Sequence, residues 1–344
     1  MEYKFLDILS FNLEELTEHI RSFGMPKYRA SQIFEWLHKK NVKSFSDMKN
    51  LPNDLCKLLE ESYVINSVEI KKKLVSKIDG TEKFLYKLHD GSLIETVVME
   101  YSFGRSVCIS SQAGCKMGCV FCASGESGFL RNLSAAEMLA QVYGTNNLDP
   151  KRVVLMGCGE PLDNFENVLR FIEIVSHKQG KNIGQRNITL STCGIVPRIY
   201  ELAKLNLQIN LAVSLHAPTN MLRQQLMPIA NAYPLDELVT SCKHYADFTK
   251  RRVTYEYSMI DGVNDDESCA EKLAKLLKGS LCHINLIPIN KTSSSLNSSK
   301  SNKIINFSET LNSFGIQTTI RRSIGKDISA ACGQLRSKEA VKRK

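Results

Sequence analysis

The spacing of apolar positions changes twice along this 344-residue chain, and each change marks a boundary. Between residues 12 and 63 apolar side chains recur at helical intervals; in YRASQIFEWLHKK, Ile33, Phe34 and Leu37 fall near one face, with Lys39 and Lys40 beyond it. From Val64 to Glu100 the pattern shortens to alternating segments, broken at Asp79-Gly80 and Asp90-Gly91, which are turn signals. From Ser106 onward β-branched runs (SVCIS, RVVLMG, NITLST, INLAVSL, VTYEYSMI, HINLIPI, QTTIRR) alternate with helical stretches. That repeat predicts an α/β fold of parallel strands and crossover helices, built as a partial barrel or as a doubly wound sheet. The expected organisation is a helical module over 1–63, a small hairpin region over 64–100, a β/α core over 101–335 and a basic tail over 336–344. SSSLNSSKSN, near Ser293 to Asn302, reads as a flexible loop.

Polar and glycine-rich groups collect where these strands end. GCGEPLDN, STCG, SLHA and the segment from Pro288 to Asn290 each follow a predicted strand, at the end where barrel enzymes build their sites.

The strongest chemical signal is GCKMGCVFC, with Cys115, Cys119 and Cys122 inside eight residues. At this cysteine content a C-x3-C-x2-C triple arises by chance in about one chain in a hundred. A structural zinc site would pair C-x2-C knuckles, and no second knuckle is present; unligated core cysteines are the other bland reading. Three thiolates at this spacing suit three corners of a [4Fe-4S] cluster, whose fourth iron then lacks a protein ligand and can bind a small chelating molecule. S-adenosylmethionine fits that role, because its amino and carboxylate groups can chelate iron while its sulfonium accepts an electron and releases a 5'-deoxyadenosyl radical. Gly157 and Gly159 allow close backbone approach, and Glu160 offers an acceptor for the ligand's ammonium. Ser191, Ser214, His216 and Asn290 could bond its ribose, carboxylate and adenine, although each alone is also an ordinary cap or turn group.

Composition narrows the setting. The N-terminus carries Glu2, Asp7, Glu14 and Glu15 where a signal peptide needs a basic end and an apolar run, and no segment has about 18 uninterrupted apolar residues, so a cytoplasmic protein without a membrane span is expected. Eleven cysteines, an odd number, imply reduced thiols available to metals or catalysis. A net charge of +9 suits a polyanionic partner. Arg131, Arg321, Arg322 and the tail residues Arg336, Lys338, Lys342 and Arg343 are candidate phosphate contacts.

VCISSQAGCKMGCVFCASGESGFLRNL, GCGEPLDN, STCGIVP, AVSLHAP, LMPI, DGVND, INLIP and DISAACGQL stand in the order found in the RlmN/Cfr family of radical SAM RNA methyltransferases, and GMPKYRASQIFEWL and FSDMKNLP resemble that family's accessory domain. The resemblance implies a partial (β/α) TIM-like barrel of the radical SAM type with a small N-terminal helical accessory domain. It implies that Cys332 is methylated by one S-adenosylmethionine, while a second, cleaved at the cluster, yields the radical that activates the methyl. It further implies Glu95 as proton acceptor and Cys108 as the thiol that resolves the RNA adduct through a transient disulfide with Cys332. The substrates implied are adenine 2503 of 23S rRNA and adenine 37 of tRNA, and the electron donor a flavodoxin or ferredoxin. RlmN enzymes methylate carbon 2 of adenine and Cfr enzymes carbon 8, the latter with antibiotic resistance; Pro161 and Cys193 resemble the RlmN pattern. Cys158, where methionine is usual, and Lys291, where proline is common, depart from it. A glycyl-radical activating enzyme would share the cluster but need neither Cys108 nor Cys332, and a noncatalytic iron-sulfur RNA-binding protein would not consume S-adenosylmethionine.

Overall fold

Asn12 and Glu15 close a reciprocal capping box that starts helix α1 (Leu13–Ser22), the first of three helices packed into an N-terminal module with α2 (Tyr28–His38) and α3 (Asn53–Ser62). The computed structural model describes residues 6–126, 128–145, 148–290, 296–332 and 334. Ile33, Phe34 and Leu37 are fully buried, as their spacing requires, while Lys39 and Lys40 are exposed. The module shares one hydrophobic core with the rest of the chain. Arg170 grips Glu15 through two bonds of 2.8 and 2.6 Å, and His38 Nδ1 meets the Tyr143 hydroxyl at 3.0 Å. Burial holds the His38 imidazole far down, at about 3, so it packs as a neutral ring.

A single ten-stranded sheet forms the body. Its strands are β1 (Glu69–Val75), β2 (Glu82–Lys87), β3 (Leu93–Tyr101), β4 (Gly104–Cys108), β5 (Arg152–Leu155), β6 (Ile188–Thr192), β7 (Asn210–Ser214), β8 (Val253–Met259), β9 (Cys282–Pro288) and β10 (Thr318–Ile320), neighbours in space in the order they occur in the chain. β1 to β4 form an antiparallel meander, whereas β4 to β10 run parallel. The crossovers carry α4 (Ala135–Tyr143), α5 (Phe165–Ser176), α6 (Val196–Lys204), α7 (Asn220–Leu226), α8 (Leu235–Thr249), α9 (Glu267–Leu277) and α10 (Ser301–Ser313). The parallel strands are the seven β-branched runs; their sequential order, without the reversal of a doubly wound sheet, makes this a barrel wall, and its two free edges make the barrel partial.

The region expected as a small hairpin is a three-stranded continuation of this sheet, joined to it through β3 and β4. Its turns form as the sequence indicates: Gly80 and Gly91 sit at positive φ, and the side chains of Asp79 and Asp90 accept from the backbone of Thr81 and Ser92. The serine-rich segment differs from its expectation at one end, because Ser301 and Asn302 already belong to the first turn of α10. Lys291, part of that segment and the tail residues Arg336, Lys338, Lys342 and Arg343 lie outside the described residues. No helix among the described residues is long and apolar enough to cross a membrane.

Candidate active site

β4 delivers the chain into the cysteine loop at the C-terminal end of the parallel strands. Two backbone bonds hold that loop: the Cys115 amide donates to Gly128 at 3.1 Å, and the Val120 amide to Leu226, the last residue of α7, at 3.1 Å. GCGEPLDN forms its floor. The Ser111 and Gln112 amides donate to the Cys158 carbonyl, Gln112 Oε1 accepts from the Glu160 amide at 2.9 Å, and Asn164 Nδ2 donates to the carbonyls of Ser111 and Leu133. A Cβ on Gly159, which has φ +107°, would stand 2.5 Å from Gln112 Cβ, and one on Gly157 2.6 Å from the Ile109 carbonyl. Both glycines are therefore needed where this turn packs against the root of the cysteine loop.

Residues singled out from sequence converge on one cavity, lined by Cys115, Cys119, Cys122, Gly157, Gly159, Glu160, Ser191, Cys193, Ser214, His216, Asn290, Arg321 and Cys332. Burial and the proximity of Cys122 push the Cys115 thiol up to about 11, and burial with both neighbouring cysteines raises Cys119 further. Raised in this way the thiols rest neutral, and holding them as thiolates would take a cation beside them, the charge that the iron of a cluster would supply. Among the described residues no three such side chains converge on a single metal-ion position. A cubane asks for a different arrangement, with each thiolate on its own iron.

Glu160 is buried and already engaged: its Oε2 accepts from the Cys193 amide at 2.6 Å and its Oε1 from Leu162 at 2.9 Å. Burial raises its carboxyl nonetheless. His216, at φ +56°, accepts at Nδ1 from the Ser258 amide at 2.9 Å and packs edge-on against Phe121, ring centroids 4.6 Å apart. Burial, with the nearby Arg223 charge, holds it down at about 3, so it is a neutral imidazole at pH 7. Cys158, the departure in this motif, does not line the cavity; its thiol faces the Ser124 carbonyl at 3.9 Å.

The C-terminal segment brings in Cys332. Asp327 accepts from Ser76 Oγ at 2.7 Å and from the Lys77 amide at 2.9 Å, the Gly325 amide donates to Asp79 Oδ2 at 2.8 Å, and Lys83 Nζ donates to the Ser329 carbonyl at 2.9 Å. These bonds pin the segment across the meander, and Ala330 packs with Val97, Met99 and Cys108. Cys332 and Cys108, both free thiols, line a second, smaller cavity that adjoins the first through Met156, Asn290 and Arg321. Asn290 Nδ2 donates to the Cys332 carbonyl at 3.3 Å. The register Lys83↔Val97, Leu85↔Glu95 and Val97↔Cys108 puts Lys83, Glu95, Val97 and Cys108 on one face of the sheet. Glu95 lies there buried against Lys83, Oε1 to Nζ 2.9 Å, and lines neither cavity.

Two residues expected to hold RNA are otherwise committed. Arg131 is clamped by Glu137 and Asp90 at 2.6–2.7 Å, and Arg321 turns inward, its side chain 20% exposed, 4.0 Å from Glu256 and beside Cys332. Arg322 is exposed. Arg223 and Glu256 escaped the sequence reading; both are buried at the site, and neither belongs to a motif with a chemical signature of its own.

The family model of the radical SAM superfamily matches residues 109–273, and that of the ribosomal RNA large subunit methyltransferase N-terminal domain matches residues 6–65. A probable dual-specificity RNA methyltransferase RlmN of Clostridium novyi is 51% identical over 96% of this chain and 97% of its own length, and one of Clostridioides difficile is 50% identical over 98% and 99%. The crystal structure of a radical SAM methyltransferase from Sphaerobacter thermophilus superposes with a TM-score of 0.92 at 42% identity, covering 96% of this chain and 99% of that one. Sequence, accessory domain and barrel agree along nearly the whole length: the chain belongs to the RlmN family of radical SAM RNA methyltransferases.

Proposed function

We propose that this enzyme methylates carbon 2 of adenine, at adenine 2503 of 23S rRNA and adenine 37 of tRNA, through a methyl group carried on Cys332. Cys115, Cys119 and Cys122 would hold a [4Fe-4S] cluster, and Gly159, Glu160, Ser191, Ser214, His216 and Asn290 would surround S-adenosylmethionine. When bound, the pair supplies methyl groups and hydrogen-atom abstraction from carbon. Cys332 carries the methyl carbon to the adenine ring and is thereby joined to the RNA. Glu95, which lies 2.9 Å from the Lys83 ammonium, takes the ring proton. The Cys108 thiolate then attacks the Cys332 sulfur: a disulfide forms, the sulfur-carbon bond breaks with its electron pair left on the departing carbon, that carbon takes up a proton to become the methyl group, and the methylated base is released.

The observation that carries this reading is the position of Cys332 at the junction of the two cavities, with the cluster cysteines in one and Cys108 in the other. Neither a glycyl-radical activating enzyme nor a noncatalytic RNA-binding protein has a use for that thiol pair. Pro161 and Cys193, buried beside the cavity, favour carbon 2 over the Cfr-type carbon 8 by their likeness to the RlmN pattern. A flavodoxin or ferredoxin would supply the electron. Mass-spectrometric mapping of adenine 2503 and adenine 37 in RNA from cells with and without the gene tests it: 2-methyladenine that disappears with the gene is the expected result, and 8-methyladenine or no change overturns it.

A further inference from the structure

Arg223, on α7, is completely buried. Its Nη2 donates to the Cys193 carbonyl at 2.6 Å and to the Ser214 carbonyl at 3.3 Å, tying the start of the loop after β6 to the C-terminal end of β7. Nε and Nη1 are also buried and have no hydrogen-bond partner, and no carboxylate pairs with the guanidinium among the described residues. The ionisable groups near it are the thiols of Cys193, Cys119 and Cys242 and the His216 ring, and Leu222 and Leu226, its neighbours on α7, pack in one hydrophobic cluster with Cys115 and Cys119. A buried cation with two unmet donors and only neutral thiols around it is an expensive arrangement in a folded protein. Two such hydrogen bonds do not require it, since a neutral amide could make them.

What distinguishes the position is Cys119, one of the three residues that would hold the cluster. Three thiolates around a [4Fe-4S] core of charge 2+ leave a net charge of −1, and reduction adds another negative charge. A cation without a carboxylate beside one of those ligands supplies what the loaded site lacks. We propose that Arg223 is the buried counter-charge of the cluster: its guanidinium offsets the thiolates and favours uptake of the electron, while Nη2 fixes it to both carbonyls. This rests on the cluster assigned above and gives α7 an electrostatic task in addition to anchoring the cysteine loop.

The full-length protein, reconstituted anaerobically with iron and sulfide, permits the test without S-adenosylmethionine or RNA. Arg223→Gln keeps a donor for the Cys193 carbonyl but removes the charge, and Arg223→Lys keeps the charge. Iron and sulfide per chain and the midpoint potential, followed by electron paramagnetic resonance, are the readouts. The expected result is a Lys variant close to wild type and a Gln variant at least tenfold harder to reduce, a fall of about 59 mV for a one-electron couple. A Gln variant that loses the cluster while the Lys variant retains it supports the same conclusion. A wild-type midpoint in the Gln variant, or equal loss in both, shows that Arg223 is only a tether and overturns the proposal. Failure of the wild-type protein itself to assemble a cluster refutes instead the cofactor assignment on which the proposal stands.

Discussion

Cys108 should react very slowly in the substrate-free enzyme, and the structure sets the size of the effect. Burial pushes its thiol up to about 12, with the nearby Cys332 adding to the rise and Arg321 opposing it, against about 8.5 for a free cysteine. At pH 7.5 the thiolate fraction is then roughly 3 × 10⁻⁵, compared with roughly 0.1 for the free side chain, a loss of about 3,000-fold. A more basic thiolate is also a better nucleophile; with a Brønsted coefficient of about 0.4–0.5 it recovers roughly 40-fold. The net expectation is alkylation about 100-fold slower than a model thiol, and slower again for the restricted access of a residue only 7% exposed. Because the proton is lost above the working range, the rate should rise tenfold per pH unit from pH 7 to 9 without a plateau. Iodoacetamide labelling of the anaerobic, reduced protein, quantified by peptide mass spectrometry, measures this directly. A plateau near pH 8.5, or labelling as fast as the model thiol, would refute the reasoning. The same inertness would let the two neighbouring thiols stay unpaired until the proposed joining of RNA to Cys332.

Separate substitutions should divide the two thiols: Cys108→Ala accumulates a covalent protein-RNA complex on denaturing gels with labelled RNA, whereas Cys332→Ala forms neither complex nor methylated RNA. Normal turnover in the first, or a crosslink in the second, contradicts the division of labour. Cys115→Ala, Cys119→Ala and Cys122→Ala should each lose most of the reconstituted iron and all deoxyadenosine formation; three variants with full iron and turnover would exclude the cluster. Lys83→Met leaves the buried Glu95 carboxylate without its ammonium, a loss of about 3–5 kcal/mol in urea denaturation that Lys83→Met with Glu95→Leu largely restores. Equal midpoints for wild type and the single variant would show that the pair is not coupled to folding.

The features legible in the sequence are those written within a few residues. Each parallel strand announces itself by a β-branched run, and the first two turns of the meander by an Asp-Gly pair, because period and turn chemistry act over two to four positions. The cysteine triple is likewise local, and the strand-end motifs gather in one cavity because parallel strands point their C-terminal ends the same way. The β/α repeat by itself left a partial barrel and a doubly wound sheet open; the motifs at the strand ends and the family resemblance pointed to the barrel, and the order of the strands bears that out. Local pattern could not place Cys332 beside Cys108, since that depends on Asp327, Gly325 and Ser329 bonding to the meander through groups more than two hundred residues earlier in the chain. Resemblance had assigned the two thiols a shared task, and the fold puts them in one cavity. Charged residues were least legible. Arg131, Arg321 and Arg223 look alike as letters, but one is clamped in surface ion pairs, one lies beside Cys332 and one is buried on α7 behind the cysteine loop. The destination of an arginine is set by which acceptors and carboxylates tertiary packing brings within about 3 Å, a distance the one-dimensional pattern does not encode.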